Sequence, residues 1–174
     1  MADRVALGFR CHSGWAVLVA VRGSSAAPVV LDRRRVQLVD DSLPRMPYHG
    51  VAEYGMPPSV IEDVIVAAAQ GAAAALKTTE QVDIVGLVAT ERRVPDELDA
   101  ILASHPLLHA AEGQLYERAV IDAAAEAGLR VHVVEPRSIV VPPAVDTLRR
   151  SIGAPWQKDH KWAATAALAA LADG

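Results

Sequence analysis

The amino-acid sequence predicts an α/β fold with a mixed five-stranded sheet and helices on both faces, in a single domain over residues 1–174. Near the start of the chain, three apolar strand-like segments follow one another with short turns, which favours an antiparallel meander. Farther along, helical segments alternate with apolar strand-like segments, which implies parallel pairing. Much of the 52% apolar content is alanine and valine, so we expect closely packed helices and buried strands.

The three strands of the meander are predicted at residues 4–9, 15–21 and 28–38. The third contains a run of three arginines. Alternation along a strand sends Arg33 and Arg35 to one face of the sheet and Arg34 to the other. Either the run forms a nucleic-acid surface or, as the favoured interpretation, it protects an edge strand against aggregation.

Residues 39–58 are predicted to be irregular, because four prolines and two glycines interrupt the segment. A loop of this length in a compact domain is usually functional or disordered. Tyr48 and His49 are polar or aromatic groups that can line a cleft, although a surface excursion is the favoured interpretation.

The second half of the chain alternates helices and strands. Ser59 and Glu62 have the spacing of a capping box, which predicts the start of a helix over 59–77. An apolar strand, a short helix and a long helix follow, and the residue pair His105-Pro106 is typical of the start of that long helix. We expect Asp159 to cap the final helix. The predicted segments after the first helix are 82–89, 95–103, 105–127, 129–134, 146–152 and 159–172.

Composition excludes some classes of protein. A net charge of −4 with a pI near 5.8 counts against a global basic surface and tight nonspecific nucleic-acid binding, but it leaves room for a local basic patch. The single cysteine, Cys11, excludes an intramolecular disulfide and a Cys-rich zinc module. No segment resembles a signal peptide or a membrane span, so we expect a soluble cytoplasmic protein without membrane association.

Three segments carry a family resemblance. Residues 5–9 followed by 13–17 look like an opening strand, a turn and a second strand; residues 88–91 look like a fourth strand ending in a glutamate; and residues 159–168 look like a C-terminal helix that returns an acidic residue to the sheet. Together with the element order, they resemble the RNase H-like superfamily, and within it the RuvC-type Holliday-junction resolvases. The resemblance implies an endonuclease acting on structured nucleic acid, with carboxylates that hold divalent cations, here Mg²⁺.

The same resemblance implies the site residues. Glu91 and Asp159 match the acidic positions and are the predicted catalytic residues and metal ligands, with Glu112 as an additional metal ligand. The first-strand aspartate of the family falls at Phe9 or Arg10, and Arg10 introduces a cation where a metal ion is expected. The alternative is therefore a non-catalytic binding or assembly protein that has kept the fold and lost the metal-binding acids.

A nucleic acid or a phosphorylated ligand is the expected partner of the cleft, and a homodimer is a further expectation. Arg92 and Arg93, directly after Glu91, can donate paired hydrogen bonds to a phosphate, or they can pair with acidic residues of the following loop. The predicted ligand-binding residues are Arg10, His49, Arg92, Arg93, His105, His109 and Tyr116.

A third hypothesis is a metal-dependent hydrolase. His105, His109 and Glu112 are spaced i, i+4 and i+7, with Tyr116 at i+11, so they share one helical face. Two such imidazoles can bind one metal ion, and this hypothesis predicts zinc in the purified protein. No glutamate that could act as general base stands between the histidines, so the alternative is hydrogen bonding within a polar cleft.

Overall fold

The computed structural model describes residues 4–77 and 81–174. In this part of the chain five strands form one mixed sheet in the order β3-β2-β1-β4-β5. The pairs β1–β2 and β2–β3 are antiparallel, whereas β1–β4 and β4–β5 are parallel, as predicted. The strands are β1 (Val5–His12), β2 (Trp15–Gly23), β3 (Pro28–Gln37), β4 (Ile84–Val88) and β5 (Arg130–Val134).

Helices cover both faces of the sheet, again as predicted. Helices α2 and α4 share one core with the side chains of Leu7 and Phe9, and α7 shares the other core with Ala6 and Val19. Strand β4 is buried along its whole length, which explains its unbroken apolar sequence. The helices are α1 (Pro47–Tyr54), α2 (Ser59–Leu76), α3 (Leu98–Leu102), α4 (His105–Glu126), α5 (Pro143–Thr147), α6 (Arg149–Ile152) and α7 (Lys158–Asp173).

Strand β3 lies at an edge of the sheet and separates its arginines as the alternation predicts. The Arg33 guanidinium donates to the carbonyl oxygen of Ile152 at 2.8 Å, on the α7 side of the sheet. The Arg34 guanidinium donates to the carbonyl oxygen of Ala75 at 3.3 Å, at the end of α2 on the other side. Two of the three arginines therefore fasten the edge strand to the chain segments that cover it.

Helix α1 corrects the prediction that residues 39–58 are irregular. The helix begins at Pro47, where the missing proline N–H costs no hydrogen bond. It ends at Gly55, whose φ of 68° is the left-handed conformation of a helix C-terminus. The prolines and glycines of this segment thus mark helix ends, and eight helical residues fit between them.

Two predicted caps are also wrong. Ser59 lies inside α2, and the N-cap is Pro58, without a side-chain hydrogen bond. Helix α7 is capped by Gln157, whose backbone N–H donates to His160 Nδ1 at 3.3 Å, so Asp159 is free for another contact. The helix predicted at residues 146–152 is two shorter helices, α5 and α6.

Helix α2 differs from the expectation that no stretch resembles a membrane span. Its 18 residues have a mean hydropathy of 1.5 and are long and apolar enough, by length and composition alone, to cross a bilayer. One stripe of the helix, containing Val64, Ala68 and Ala72, is buried in the core with the sheet and α4. Ile65 and Val66 of the same helix are 40% and 48% exposed, so packing accounts for only part of its apolar composition.

Candidate functional site

A polar cleft opens where the carboxyl end of β1 meets the first half of α4. Its volume is about 190 Å³. Because β1 and β4 are parallel neighbours, their carboxyl ends lie at the same sheet edge, where open α/β sheets bind ligands. Five of the predicted site residues line the cleft: Arg10, Arg92, His109, Glu112 and Tyr116.

Arg10 brings a cation to the end of β1. Of the two positions expected for the family's aspartate, Phe9 is fully buried in the α2–α4 core, and Arg10 alternates to the α7 side of the sheet. The Arg10 guanidinium carbon lies 5.6 Å from the centroid of the Trp162 ring. Its Nε is buried and has no hydrogen-bond partner among the described residues, so one donor of this cation is unsatisfied.

Arg92 forms an ion pair with Glu117, a residue that sequence reasoning missed. Glu117 is only 6% exposed, and burial raises the pKa of its carboxyl group while Arg92 and Arg10 act to lower it. Gly113 makes room for the pair, because a Cβ atom there would lie 2.9 Å from the Arg92 guanidinium carbon. Glu117 was missed because it lies off the helical face that contains His105, His109 and Glu112.

The two predicted catalytic acids have separate surroundings. Asp159 Oδ2 lies 2.9 Å from His12 Nε2, and the His12 ring stacks on Trp15 with centroids 4.2 Å apart. Glu91 is exposed and lines a different cavity, of about 450 Å³, beside β5 and α4. The backbone N–H of Glu91 donates to Glu135 Oε1 at 2.7 Å.

These contacts do not fit the magnesium site that the resemblance implies. Mg²⁺ prefers several oxygen ligands in octahedral geometry. At the end of β1 stands the Arg10 guanidinium, and the nearby carboxylates of Glu117 and Asp159 are paired with Arg92 and His12. Among the described residues, the end of β1 therefore lacks the set of unpaired oxygen ligands that Mg²⁺ requires.

Glu112 supports the start of α1. Its Oε1 accepts hydrogen bonds from the backbone N–H groups of Tyr48 at 2.9 Å and His49 at 3.2 Å, two donors that a helix N-terminus leaves unpaired. The same oxygen lies 3.3 Å from His49 Nδ1. Burial raises the pKa of Glu112 to about 7, against the lowering effect of the two backbone donors. The other carboxylate oxygen, Oε2, is buried and has no hydrogen-bond partner among the described residues, so metal binding by Glu112 together with His105 and His109 stays a prediction.

The predicted histidines do come together, and His49 joins them. His109 Nε2 lies 3.1 Å from His105 Nε2 across one turn of α4. The His49 ring, on α1, has its centroid 4.7 Å from that of His109 and 5.4 Å from that of His105. Sequence spacing identified the pair on α4, and the packing of α1 against α4 adds the third imidazole.

The remaining predicted site residues have simpler surroundings. Tyr116 is 1% exposed and its hydroxyl donates to the carbonyl oxygen of Arg45 at 2.6 Å, so this group anchors the segment before α1. Its contact with a ligand stays a prediction. Arg93 is exposed on the loop after β4. Cys11 is a free cysteine and is buried.

Comparisons of the sequence with protein-family models and with curated proteins gave no match. Among solved structures, T. thermophilus RuvC in complex with a Holliday junction substrate is similar, with 16% identity, a TM-score of 0.57, and coverage of 95% of this chain and 90% of that one. A second Thermus thermophilus RuvC structure has 17% identity and a TM-score of 0.56, with coverage of 94% and 91%. The chain therefore has the RNase H-like fold of the RuvC Holliday-junction resolvases.

Proposed function

We propose that the protein binds structured nucleic acid through backbone phosphates at the carboxyl edge of β1, without a magnesium ion beside Arg10. The observation that carries this proposal is the Arg10 guanidinium, whose buried Nε lacks a partner in the described part of the chain. A buried donor without an acceptor costs free energy. A phosphate oxygen is a strong acceptor and matches the planar donor array of arginine.

Further cations near this edge support phosphate binding. The Arg35 guanidinium carbon lies 3.9 Å from the centroid of the Trp15 ring, and Lys158 Nζ lies 4.3 Å from that of Trp162. These contacts hold two flexible cations in place, which reduces the entropy lost when a phosphate binds. A local basic region of this kind is compatible with the net charge of −4 of the whole chain.

A branched nucleic acid fits these cations better than a small phosphorylated ligand does. Two cations flank Arg10, namely Arg35 on the edge strand β3 and Lys158 at the start of α7. This arrangement suits a nucleic-acid backbone with several phosphates. The RuvC structure with a similar fold is in complex with a Holliday junction substrate. We therefore propose a four-way DNA junction as the class of ligand.

A divalent-metal nuclease is the second candidate. One observation favours it. Glu91 follows strand β4 of the sheet, and Asp159 lies in the first turn of α7, which packs on the same sheet. Such a nuclease requires Asp159 to leave His12 and Glu91 to turn towards it. Cleavage experiments separate this candidate from the binding protein.

The binding test measures fluorescence anisotropy of a labelled four-way DNA junction at low salt. We expect Arg10→Gln to weaken binding about 10-fold to 100-fold, the equivalent of one charge-assisted hydrogen bond. Arg130→Gln removes the same charge at the opposite end of the sheet, on β5, and should leave the affinity unchanged. Lys158→Gln, at an exposed position, serves as a second variant if Arg10→Gln does not fold. Equal affinity of the folded variants and the unmodified protein would contradict the proposal.

The cleavage test incubates the same junction with Mg²⁺ or Mn²⁺. The binding proposal expects the DNA to stay intact. Cleavage that disappears in both Glu91→Gln and Asp159→Asn would instead support the nuclease.

A further inference from the structure

We propose that His49, His105 and His109 form a binding site for one divalent first-row transition metal ion, with Zn²⁺ as the expected ion. Each imidazole offers one nitrogen, and the three nitrogens lie within 4.8 Å of one another. The site joins α1 to α4. His109 also lines the cleft that contains Arg10, but the metal-binding proposal does not depend on phosphate binding by Arg10 and holds whether or not the protein binds nucleic acid.

His49 supplies a buried nitrogen that has no other use. Its side chain is 7% exposed, and its Nε2 is buried without a hydrogen-bond partner in the described residues. Its Nδ1 lies 3.3 Å from Glu112 Oε1, an acceptor, so the ring proton belongs on Nδ1 and the lone pair on Nε2. A buried lone pair without a donor is costly, and a metal ion satisfies it.

His105 is oriented in the same way. Its Nδ1 lies 3.2 Å from Glu53 Oε1, which again leaves the lone pair on Nε2. A carboxylate behind a ligating histidine fixes the tautomer and the ring orientation in metal sites. Two of the three histidines therefore have the carboxylate support that is typical of such sites.

The spacing of His105 and His109 suits a shared ion. Their Nε2 atoms are 3.1 Å apart. Two imidazole nitrogens bound to zinc in tetrahedral geometry, each about 2.0–2.1 Å from the ion, are roughly 3.3 Å from each other. Two lone pairs at this distance repel unless a proton or a cation lies between them, so a metal ion or a shared proton must account for the contact.

The ligand chemistry selects the class of ion. Neutral imidazoles suit Zn²⁺ and its neighbours, whereas Mg²⁺ and Ca²⁺ prefer oxygen ligands. Three protein ligands leave the fourth position of a tetrahedral ion open. His105 and His109 are exposed, so water or a small ligand can reach that position from solvent.

The experiment titrates ZnCl₂ by calorimetry into protein that has been dialysed against a chelator. We expect one saturable equivalent, and a rise in melting temperature that requires the metal. His105→Ala and His109→Ala, both at exposed positions, should abolish this binding. Glu53→Gln should weaken it about 10-fold to 100-fold, as removal of an outer carboxylate does.

Two further variants separate the proposed site from a simple surface pair of histidines. The matched control is His132→Ala, which should leave zinc affinity unchanged. His132 lies on β5 and pairs with Asp173 of α7. His49→Gln should weaken binding as strongly as His105→Ala, whereas a surface pair would not respond to it. If His49→Gln does not fold, the response to Glu53→Gln decides. Absence of saturable heat, or affinity that is insensitive to His105→Ala and His109→Ala, would overturn the proposal.

Discussion

Cys11 shows how one residue's surroundings determine its chemistry. The thiol is buried beneath α4 and lies 3.8 Å from the carbonyl oxygen of Tyr116. Burial, together with the Glu117 carboxylate, raises the pKa of the thiol to about 12, although Arg10 acts in the opposite direction. The reactive form of cysteine is the thiolate, so this residue is unreactive near neutral pH.

This pKa shift predicts a pH dependence of stability. In the unfolded chain the thiol titrates near pH 8.5, well below its folded pKa of about 12. The folded state therefore binds the proton more tightly, so this contribution is complete below about pH 8.5 and is lost as the pH rises towards 12. We expect the free energy of unfolding in urea to decline less steeply with alkaline pH in Cys11→Ala than in the unmodified protein. Parallel declines in the two proteins, or rapid reaction of the native thiol with a disulfide reagent at neutral pH, would contradict this account.

At the scale of elements, the sheet meets α7 through glycines. Gly8 on β1 and Gly86 on β4 are register partners, and a Cβ atom on either would overlap the backbone carbonyl of Ala163 or Ala166. Helix α7 consequently lies directly on the strand backbones and brings Asp159 to the edge near His12. The alanines of α7 also permit this close contact, because larger side chains would hold the helix farther from the sheet.

Gly8→Ala should destabilise the protein by about 1–3 kcal/mol, because neither the strand nor the helix backbone can move aside without disrupting its hydrogen bonds. Gly50→Ala is the matched control: a Cβ atom there would meet only the flexible end of Met56, and alanine favours the helical conformation of α1. Denaturant unfolding of the two variants checks the contrast. Equal stabilities would mean that α7 can shift on the sheet.

At the scale of the whole molecule, the distribution of charge matters more than its sum. The chain carries a net charge of −4, yet Arg10, Arg35 and Lys158 are held near one edge by contacts with aromatic rings. An acidic protein with a small basic region should bind nucleic acid through few phosphates. Its affinity should then depend only modestly on salt.

If these three cations make the phosphate contacts, the logarithm of the association constant for the DNA junction should fall with the logarithm of salt concentration with a slope of about −3. Each substitution by glutamine should make the slope shallower by roughly one. Anisotropy titrations over a range of NaCl concentrations measure this. A slope that Lys158→Gln leaves unchanged would exclude Lys158 from the contact.

The sequence by itself determined the architecture. An unbroken apolar segment predicted β4 as a buried strand, and alternation along β3 predicted that Arg33 and Arg34 lie on opposite faces of the sheet. The spacing of apolar and polar side chains is a property of a single segment, so it can be interpreted without a structure. Helix caps and α1 were predicted wrongly, because Pro47, Gly55 and Gln157 act through local backbone geometry that composition does not reveal.

Only the tertiary structure decided which polar groups meet. The spacing predicted Glu112 as a metal ligand, and the structure shows that one of its carboxylate oxygens accepts hydrogen bonds from the start of α1, while His49 from that helix completes the histidine cluster. Glu117 reaches Arg92, and Asp159 reaches His12, across 25 and 147 residues of sequence. Such pairs depend on how helices dock on the sheet, and the docking is set by summed packing of small side chains, which leaves no local signal in the sequence.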